Sequence, residues 1–170
     1  MSKRDSIVYE LSKVGVVILF VYYFLILCVG SWGVIEIICT LGEVANQEEL
    51  LLRIFLSSLS VSGMLCSLQY IKRLYKACIT NRITPKTTFW GSLGNLAYFI
   101  FRPLFAFVFV IVMICVVLSG GFILTGNLDY VLNEKCLYMC VIFSSFIGYS
   151  VGDLLDKFDD ISREKINEMK

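Results

Sequence analysis

Long, mostly apolar runs alternate with short polar segments along the chain. Four runs are long enough to form membrane-spanning helices, because about 20 apolar residues cross a hydrocarbon core roughly 30 Å thick. We predict these spans at residues 14–35, 54–71, 103–126 and 136–152. The predicted fold class is an all-α integral membrane protein whose transmembrane domain, residues 1–152, contains four transmembrane helices.

A proline sets the predicted start of the third span. Between Thr87 and Leu128 the only charged residue is Arg102, and Pro103 follows it. Proline suits the first turn of a helix better than its interior, so we predict that the span starts at Pro103. The aromatic-rich residues 88–101 then form an interfacial segment before the third span. One tilted helix kinked at Pro103 is the alternative.

A charged segment, residues 153–170, follows the fourth span. Its acidic residues come first and its basic residues last, the order that complements a helix dipole, so we predict a cytoplasmic amphipathic extension of the fourth helix. Its apolar stripe consists of Leu154, Leu155, Phe158, Ile161 and Ile166. The stripe predicts a docking face for a separate cytosolic protein, for other copies of the chain, or for the chain's own basic loop.

Lysine and arginine are distributed unevenly over the two sides of this arrangement. Thirteen lie on the side of the termini, and only Arg53 and Lys135 lie on the other side, which indicates that both termini are cytoplasmic. We predict that one group anchors the topology or binds anionic lipid. It consists of Lys72, Arg73, Lys76, Arg82, Lys86 and Arg102. No direct binding of nucleic acid is expected, because a topology-setting loop has the same charge pattern.

Small residues at helical spacing mark two candidate contact ridges. One ridge lies on the second span and the other on the fourth, where small side chains let helix backbones approach closely. The ridges consist of Ser60, Gly63 and Ser67, and of Ser144, Gly148 and Gly152. They predict either packing of these two spans against each other or a seam of self-association in a homo-oligomer.

Composition excludes several classes of protein. The chain has 170 residues, of which 58% are hydrophobic and 17% charged, too little polar surface for a soluble domain. Histidine is absent, as are a phosphate-binding loop and a nucleophile elbow, so we expect neither an enzyme nor a bound cofactor. The spans have no ionisable residue near their centres, which disfavours ion-coupled transport.

The seven cysteines are predicted to be packing residues. Cys39 and Cys136 lie near the outer ends of spans and could pair if their helices are neighbours. Cys136 and Cys140 share a helix face, but two thiols without histidine or carboxylate partners make a poor metal site. No Asn-x-Ser/Thr acceptor occurs, which favours a bacterial inner membrane.

Three short motifs carry a resemblance to a known family. Arg102-Pro103-Leu104 opens the third span, Ser119-Gly120-Gly121 closes it, and Phe146-Ile147-Gly148 precedes the charged tail. Together with the four-span size, they resemble the membrane subunits of Kiwa systems, small bacterial proteins encoded in anti-phage defence operons. The resemblance implies a tetrameric membrane sensor for a DNA-binding cytosolic partner.

Two functions remain as expectations. The first is a non-enzymatic oligomeric sensor or anchor that couples the state of the inner membrane to a cytosolic effector through residues 153–170. The second is a pore-forming effector that depolarises the cell, lined by the serines of the second span, with Glu36 at its mouth.

Overall fold

Four α-helices make up the part of the chain that the computed structural model describes, residues 12–39, 46–80, 89–125 and 133–168. The helices are α1 (Lys13–Cys39), α2 (Gln47–Ile79), α3 (Phe89–Thr125) and α4 (Glu134–Glu168). Each contains a stretch long and apolar enough to cross a membrane. The predicted all-α architecture with four such helices is confirmed.

The apolar stretches lie close to the predicted first and fourth spans, extend beyond the second at both ends, and are shifted toward the N-terminus at the third. They are Lys13–Glu36, Gln47–Ile79, Leu96–Gly120 and Lys135–Leu155. α3 begins at Phe89 and continues through Pro103, so the segment before the proline is helical, as in the alternative of one long helix. A membrane boundary at Pro103 stays a prediction.

α2 is the central helix, and it packs against each of the other three. Half of its most apolar stretch is buried (50%), compared with 28% in α1 and in α3. α1 and α3 run antiparallel to α2. Along α1, Tyr23 stacks on Tyr70 and the later Gly30 meets Met64. Along α3, Phe99 contacts Tyr70 and the later Phe107 meets Gly63. α4 runs parallel to α2, since both helices begin in one apolar cluster and reach the other cluster later in the chain.

Glycines allow the two closest helix approaches. A Cβ at Gly30 of α1 would lie 2.8 Å from the backbone oxygen of Ser60, and one at Gly33 would overlap the Ser60 hydroxyl. A Cβ at Gly148 of α4 would overlap the backbone of Ser62, lying 2.8 Å from its Cα atom. α2 is therefore held between two helices at distances that only glycine permits.

The buried side chains form two clusters at opposite ends of the bundle. The basic-end cluster lies where α1 starts and α2 ends, and the acidic-end cluster lies at the opposite end. The basic-end cluster comprises Leu19, Tyr23, Cys66, Tyr70, Leu74, Phe99, Ala106 and Val151. The acidic-end cluster comprises Leu50, Ile54, Val110, Ile114, Cys136, Leu137 and Cys140.

Large apolar side chains cover much of the outer surface, especially on α1 and α3. Val29 and Trp32 of α1 are 72% and 74% exposed, and Val116 of α3 is 63% exposed. In water such a surface would drive aggregation, whereas lipid tails solvate it. The surface is compatible with a multi-pass membrane protein.

Candidate functional site

Pro103 leaves one backbone carbonyl of α3 without its helical donor, and α1 supplies a replacement. Proline has no N–H, so the carbonyl four residues earlier, that of Phe99, loses its usual helical hydrogen bond. The Tyr23 hydroxyl donates to this carbonyl at 2.5 Å. The neighbouring Tyr22 hydroxyl donates to the Ile100 carbonyl at 3.1 Å. α1 thus stabilises α3 at its proline, where an apolar surrounding offers no water as a donor.

Arg102, directly before that proline, is buried between helices. Its side chain is only 2% exposed. Its guanidinium donates to the Gly152 carbonyl of α4 at 3.2 Å and lies over the Tyr98 ring, with Cζ 4.0 Å from the ring centroid. A buried guanidinium needs such hydrogen-bond and cation–π partners, because an unpaired buried charge is costly. Arg102 therefore ties α3 to α4.

A second arginine reaches the same point of α4 from α2. Arg73 donates to the Asp153 carboxylate at 3.1 Å, and its Cζ lies 5.4 Å from the centroid of the Tyr70 ring. A Cβ on Gly152 would lie 2.6 Å from the Tyr70 hydroxyl and 3.0 Å from the Arg73 Nη1 atom. Glycine leaves room for these groups in the observed arrangement. We call Tyr70, Arg73, Arg102, Gly152 and Asp153 the tail junction.

Aromatic rings connect the tail junction to α1 and α3. The Tyr23 and Tyr70 rings stack with centroids 5.5 Å apart, and the Phe99 ring meets Tyr70 edge-on at 6.1 Å. Tyr98 in turn meets Phe99 edge-on at 5.7 Å. Such pairs stabilise beyond their buried area by about 1 kcal/mol each. All four helices therefore converge where α4 leaves its apolar stretch, which ends at Leu155.

The tail junction is suited to positioning a helix. Two guanidiniums form directional bonds between helices, one to the Asp153 carboxylate and one to the Gly152 carbonyl, and the Tyr70 ring packs against Arg73. Across the described residues no group of three or more His, Cys, Asp or Glu side chains could hold a metal ion. Side chains of α2 and α3 therefore hold α4 at Gly152 and Asp153.

The two predicted small-residue ridges both lie within the bundle, and α2 and α4 pack against each other, as the first alternative has it. On α4, Gly148 contacts Ser62 and Gly152 lies in the tail junction, while the buried Ser144 donates to its own helix at the Cys140 carbonyl. On α2, Ser60 contacts the glycines of α1. Gly63 instead faces the Phe107 ring of α3, and Ser67 is fully buried. Any role of these residues in self-association stays a prediction.

Of the predicted basic anchors, Lys72 and Lys76 are exposed and Arg73 is partly exposed, as a surface role requires. Arg102 is different, because α3 continues back to Phe89 and so places it inside a long helix rather than at a helix start. Its side chain contacts α4 instead of a lipid surface. Arg82 and Lys86 lie outside the described residues.

The predicted docking stripe starts within the bundle and leaves it along α4. Leu154 and Leu155 are partly buried, and Leu155 packs against the basic-end cluster. Ile161 is 54% exposed. The side chains of Phe158 and Ile166 lie outside the described ones. Leu155 of the stripe therefore contacts the chain's own helices.

Cys39 and Cys136 are both free thiols, the first exposed and the second buried, so the suggested pairing is absent from the described structure. Cys136 and Cys140 belong to the acidic-end cluster as packing residues. Glu36 is exposed near the end of α1.

The sequence reasoning missed Tyr22, Tyr23 and Tyr70. A signal for Tyr23 was present in principle: a proline inside a long apolar run leaves a carbonyl to satisfy, and a phenol in a neighbouring span can do so. Which of nine tyrosines does so requires the register of α1 against α3.

Three serine hydroxyls of α2 are buried without a hydrogen-bond partner among the described residues. They belong to Ser58, Ser62 and Ser67, each 0% exposed. Their small volume, which admits neighbouring backbones, explains their presence better than their hydroxyls do.

In comparisons with known proteins, no family model, no curated protein and no solved structure matches this chain.

Proposed function

We propose that the protein is a non-enzymatic, oligomeric sensor or anchor of a bacterial inner membrane, which couples the state of the bilayer to a cytosolic effector. Both termini are cytoplasmic in this proposal, and residues 153–170 form the output. The observation that carries it is the tail junction. Side chains of α2 and α3 hold α4 at Gly152 and Asp153, where its apolar stretch ends.

The length of α4 supports this role. It is one continuous helix from Glu134 to Glu168, so about 20 Å of helix follows Leu155 at 1.5 Å per residue. A rotation or tilt at the tail junction is carried along a helix of this kind to its end.

The exposed apolar side chains of α1 and α3 support a role of these two helices in sensing the bilayer. These helices have the largest apolar surfaces for contact with lipid, and they also hold the tail junction through Tyr23, Phe99 and Arg102. A change in bilayer thickness or packing alters the tilt of such helices. The proposed path runs from lipid to α1 and α3, then to Arg102 and α4.

The proposal also includes two kinds of partner, other copies of the chain and a cytosolic protein. A homo-oligomer, tetrameric by resemblance to Kiwa membrane subunits, assembles through the outer faces of the bundle, and a cytosolic protein docks on the tail. A place in anti-phage defence rests on the same resemblance.

Affinity purification of the full chain and of a chain truncated after Leu155 tests this function. The truncation keeps Gly152 and Asp153, so the tail junction is retained. We expect a stoichiometric cytosolic partner with the full chain and none with the truncated one. Ile161→Gln in the tail should weaken capture, whereas the same change at Ile38, which is also exposed but lies at the opposite end of the bundle, should not. Equal capture by the truncated chain contradicts the proposal.

The pore alternative has one observation in its favour, the unpartnered hydroxyls of Ser58, Ser62 and Ser67 on α2. It requires α2 to rotate so that these serines leave the interior of the bundle and line a pore formed with other copies of the chain. Its test is the membrane potential of overproducing cells, which should collapse with the native chain and recover with Ser60→Leu or Ser67→Leu.

A further inference from the structure

The last turns of α2 present a mixed basic and apolar face. Lys72, Tyr75, Lys76 and Ile79 have the i, i+3, i+4, i+7 spacing of one helix face, and all four are exposed. Such a face fits the boundary between acyl chains and headgroups. There the apolar parts contact hydrocarbon and the ammonium groups contact phosphate.

The length of α2 places this face at headgroup depth. α2 has 33 residues and is therefore about 50 Å long, whereas the hydrocarbon core of a bilayer is about 30 Å thick. The final two turns emerge from the core if α2 spans the membrane, as the proposed function has it.

Arg73 connects this face to the tail junction. It follows Lys72 directly, and its side chain is 31% exposed, while its partner Asp153 is 40% exposed. An ion pair with this exposure contributes only about 1 kcal/mol or less, so another anion at the same surface can compete for the guanidinium. Arg102, at 2% exposed, is out of reach of such an anion.

We propose that an anionic phospholipid regulates the tail junction by exchange. Its phosphate draws Arg73 away from Asp153 toward Lys72 and Lys76, and the base of α4 loosens. The ligand chemistry is a phosphate anion, and its source is lipid, because Tyr75 and Ile79 provide contacts for acyl chains beside the basic groups. This inference rests on the proposed function, in which α4 is the output.

Lipid retention by the full-length protein tests the binding step. Native mass spectrometry compares added phosphatidylglycerol with phosphatidylcholine. We expect preferential retention of phosphatidylglycerol, reduced about fivefold by each of Lys72→Gln and Lys76→Gln. Lys13→Gln, which removes an exposed charge at the same end of the bundle, is the matched control and should have no effect. Equal retention of both lipids, or an equal loss with the control, overturns the proposal.

Hydrogen exchange of the α4 amides after Gly152 tests the exchange step. In nanodiscs these amides should exchange faster with phosphatidylglycerol than with phosphatidylcholine alone. Arg73→Gln should abolish the difference, because the ion pair is then absent in both lipids. Inorganic phosphate added to phosphatidylcholine nanodiscs should have no effect. A missing lipid effect, its persistence in Arg73→Gln, or its reproduction by phosphate alone refutes the inference.

These readouts involve no cytosolic partner. Their failure, with partner capture still dependent on the tail, removes lipid control and leaves the proposed function. Lipid effects without any tail-dependent capture remove the proposed function instead.

Discussion

The two ends of the bundle are built on different principles. At the acidic end the buried cluster consists of aliphatic side chains and cysteines, and Arg53 pairs with Glu49 on its own helix at 2.7 Å. At the basic end, hydrogen bonds run from Tyr22 and Tyr23 to α3, and others run from Arg73 and Arg102 to α4.

This difference shows at which end the helices are held in fixed positions relative to one another. Apolar side chains gain little from leaving lipid, so helices packed only by such residues can slide or rotate at small cost. Hydrogen bonds and a buried guanidinium have fixed directions and are lost when the helices move. The relative positions of the helices are therefore fixed most firmly at the basic end, from which the tail extends.

The largest expected loss of stability comes from Gly148, where α4 lies against the backbone of α2 at Ser62. Gly148→Ala places a Cβ against the Ser62 backbone, which cannot rotate away, and should lower the free energy of unfolding by about 3 kcal/mol. Gly120→Ala is the matched control, since a Cβ there meets nothing within 4 Å. Unfolding by sodium dodecyl sulfate in mixed micelles measures both. Equal stability of the two variants would show that the α2–α4 contact is loose.

The next prediction compares the two ends by the loss of stability when one arginine at each end is replaced. Arg102→Gln loses a buried charged hydrogen bond and a cation–π contact, so we expect a loss of about 2 kcal/mol. Arg53→Gln loses an ion pair within one helix whose Glu49 partner is 40% exposed, and it should cost less than Arg102→Gln. The same unfolding assay applies. A larger loss at Arg53 would reverse the comparison.

A smaller effect isolates the tyrosine that replaces a missing helical donor. Tyr23→Phe should cost about 1 kcal/mol, because the Phe99 carbonyl loses its hydrogen bond. In a Pro103→Ala background that carbonyl regains the backbone N–H of residue 103, and the same change should cost almost nothing. A double-mutant cycle measures this coupling. Additive effects would mean that the phenol does not act through the proline.

The smallest change in stability is expected from removing a buried hydroxyl that makes no hydrogen bond among the described residues. Ser62→Ala removes a hydroxyl without a partner among the described residues, so its effect on stability should be near zero. Ser144→Ala, in the facing helix, removes a hydroxyl that donates to the Cys140 carbonyl and should cost more, about 0.5 kcal/mol. Thermal unfolding in detergent compares the pair. A marked loss with Ser62→Ala would indicate a partner for that hydroxyl.

The fold was largely predictable, because span length and apolar composition depend on each segment alone. The glycines at 148 and 152 were also found as a contact ridge, since small-residue spacing is a local pattern. Packing of this ridge on the second helix was one of two predicted alternatives. The facing residue was not found, because Gly148 meets Ser62, beside the predicted ridge of Ser60, Gly63 and Ser67. Helix rotation and register decide such pairing, and neither is encoded in one helix.

Arg102 shows the same limit at the candidate site. The residue was singled out from the sequence, but its role depended on whether Pro103 begins a helix or lies within one. Local preference favours the first, whereas the structure has the second. The tyrosines of α1 satisfy the carbonyl that makes an internal proline costly, so a residue far along the chain reverses the local preference.

The parallel pairing of α2 with α4 has a consequence for biogenesis. α1 and α2 can close as a helical hairpin once Thr80 has left the ribosome, because Gly30, Gly33 and Ser60 are all available by then. The opposite side of α2, with Ser62, must wait until α3 has crossed and α4 has followed it. In the proposed membrane topology, that side is shielded during translation only by lipid or by the insertion machinery. A nascent chain is thus open to capture by the fourth helix of another copy, and correct assembly depends on the speed with which its own α4 arrives.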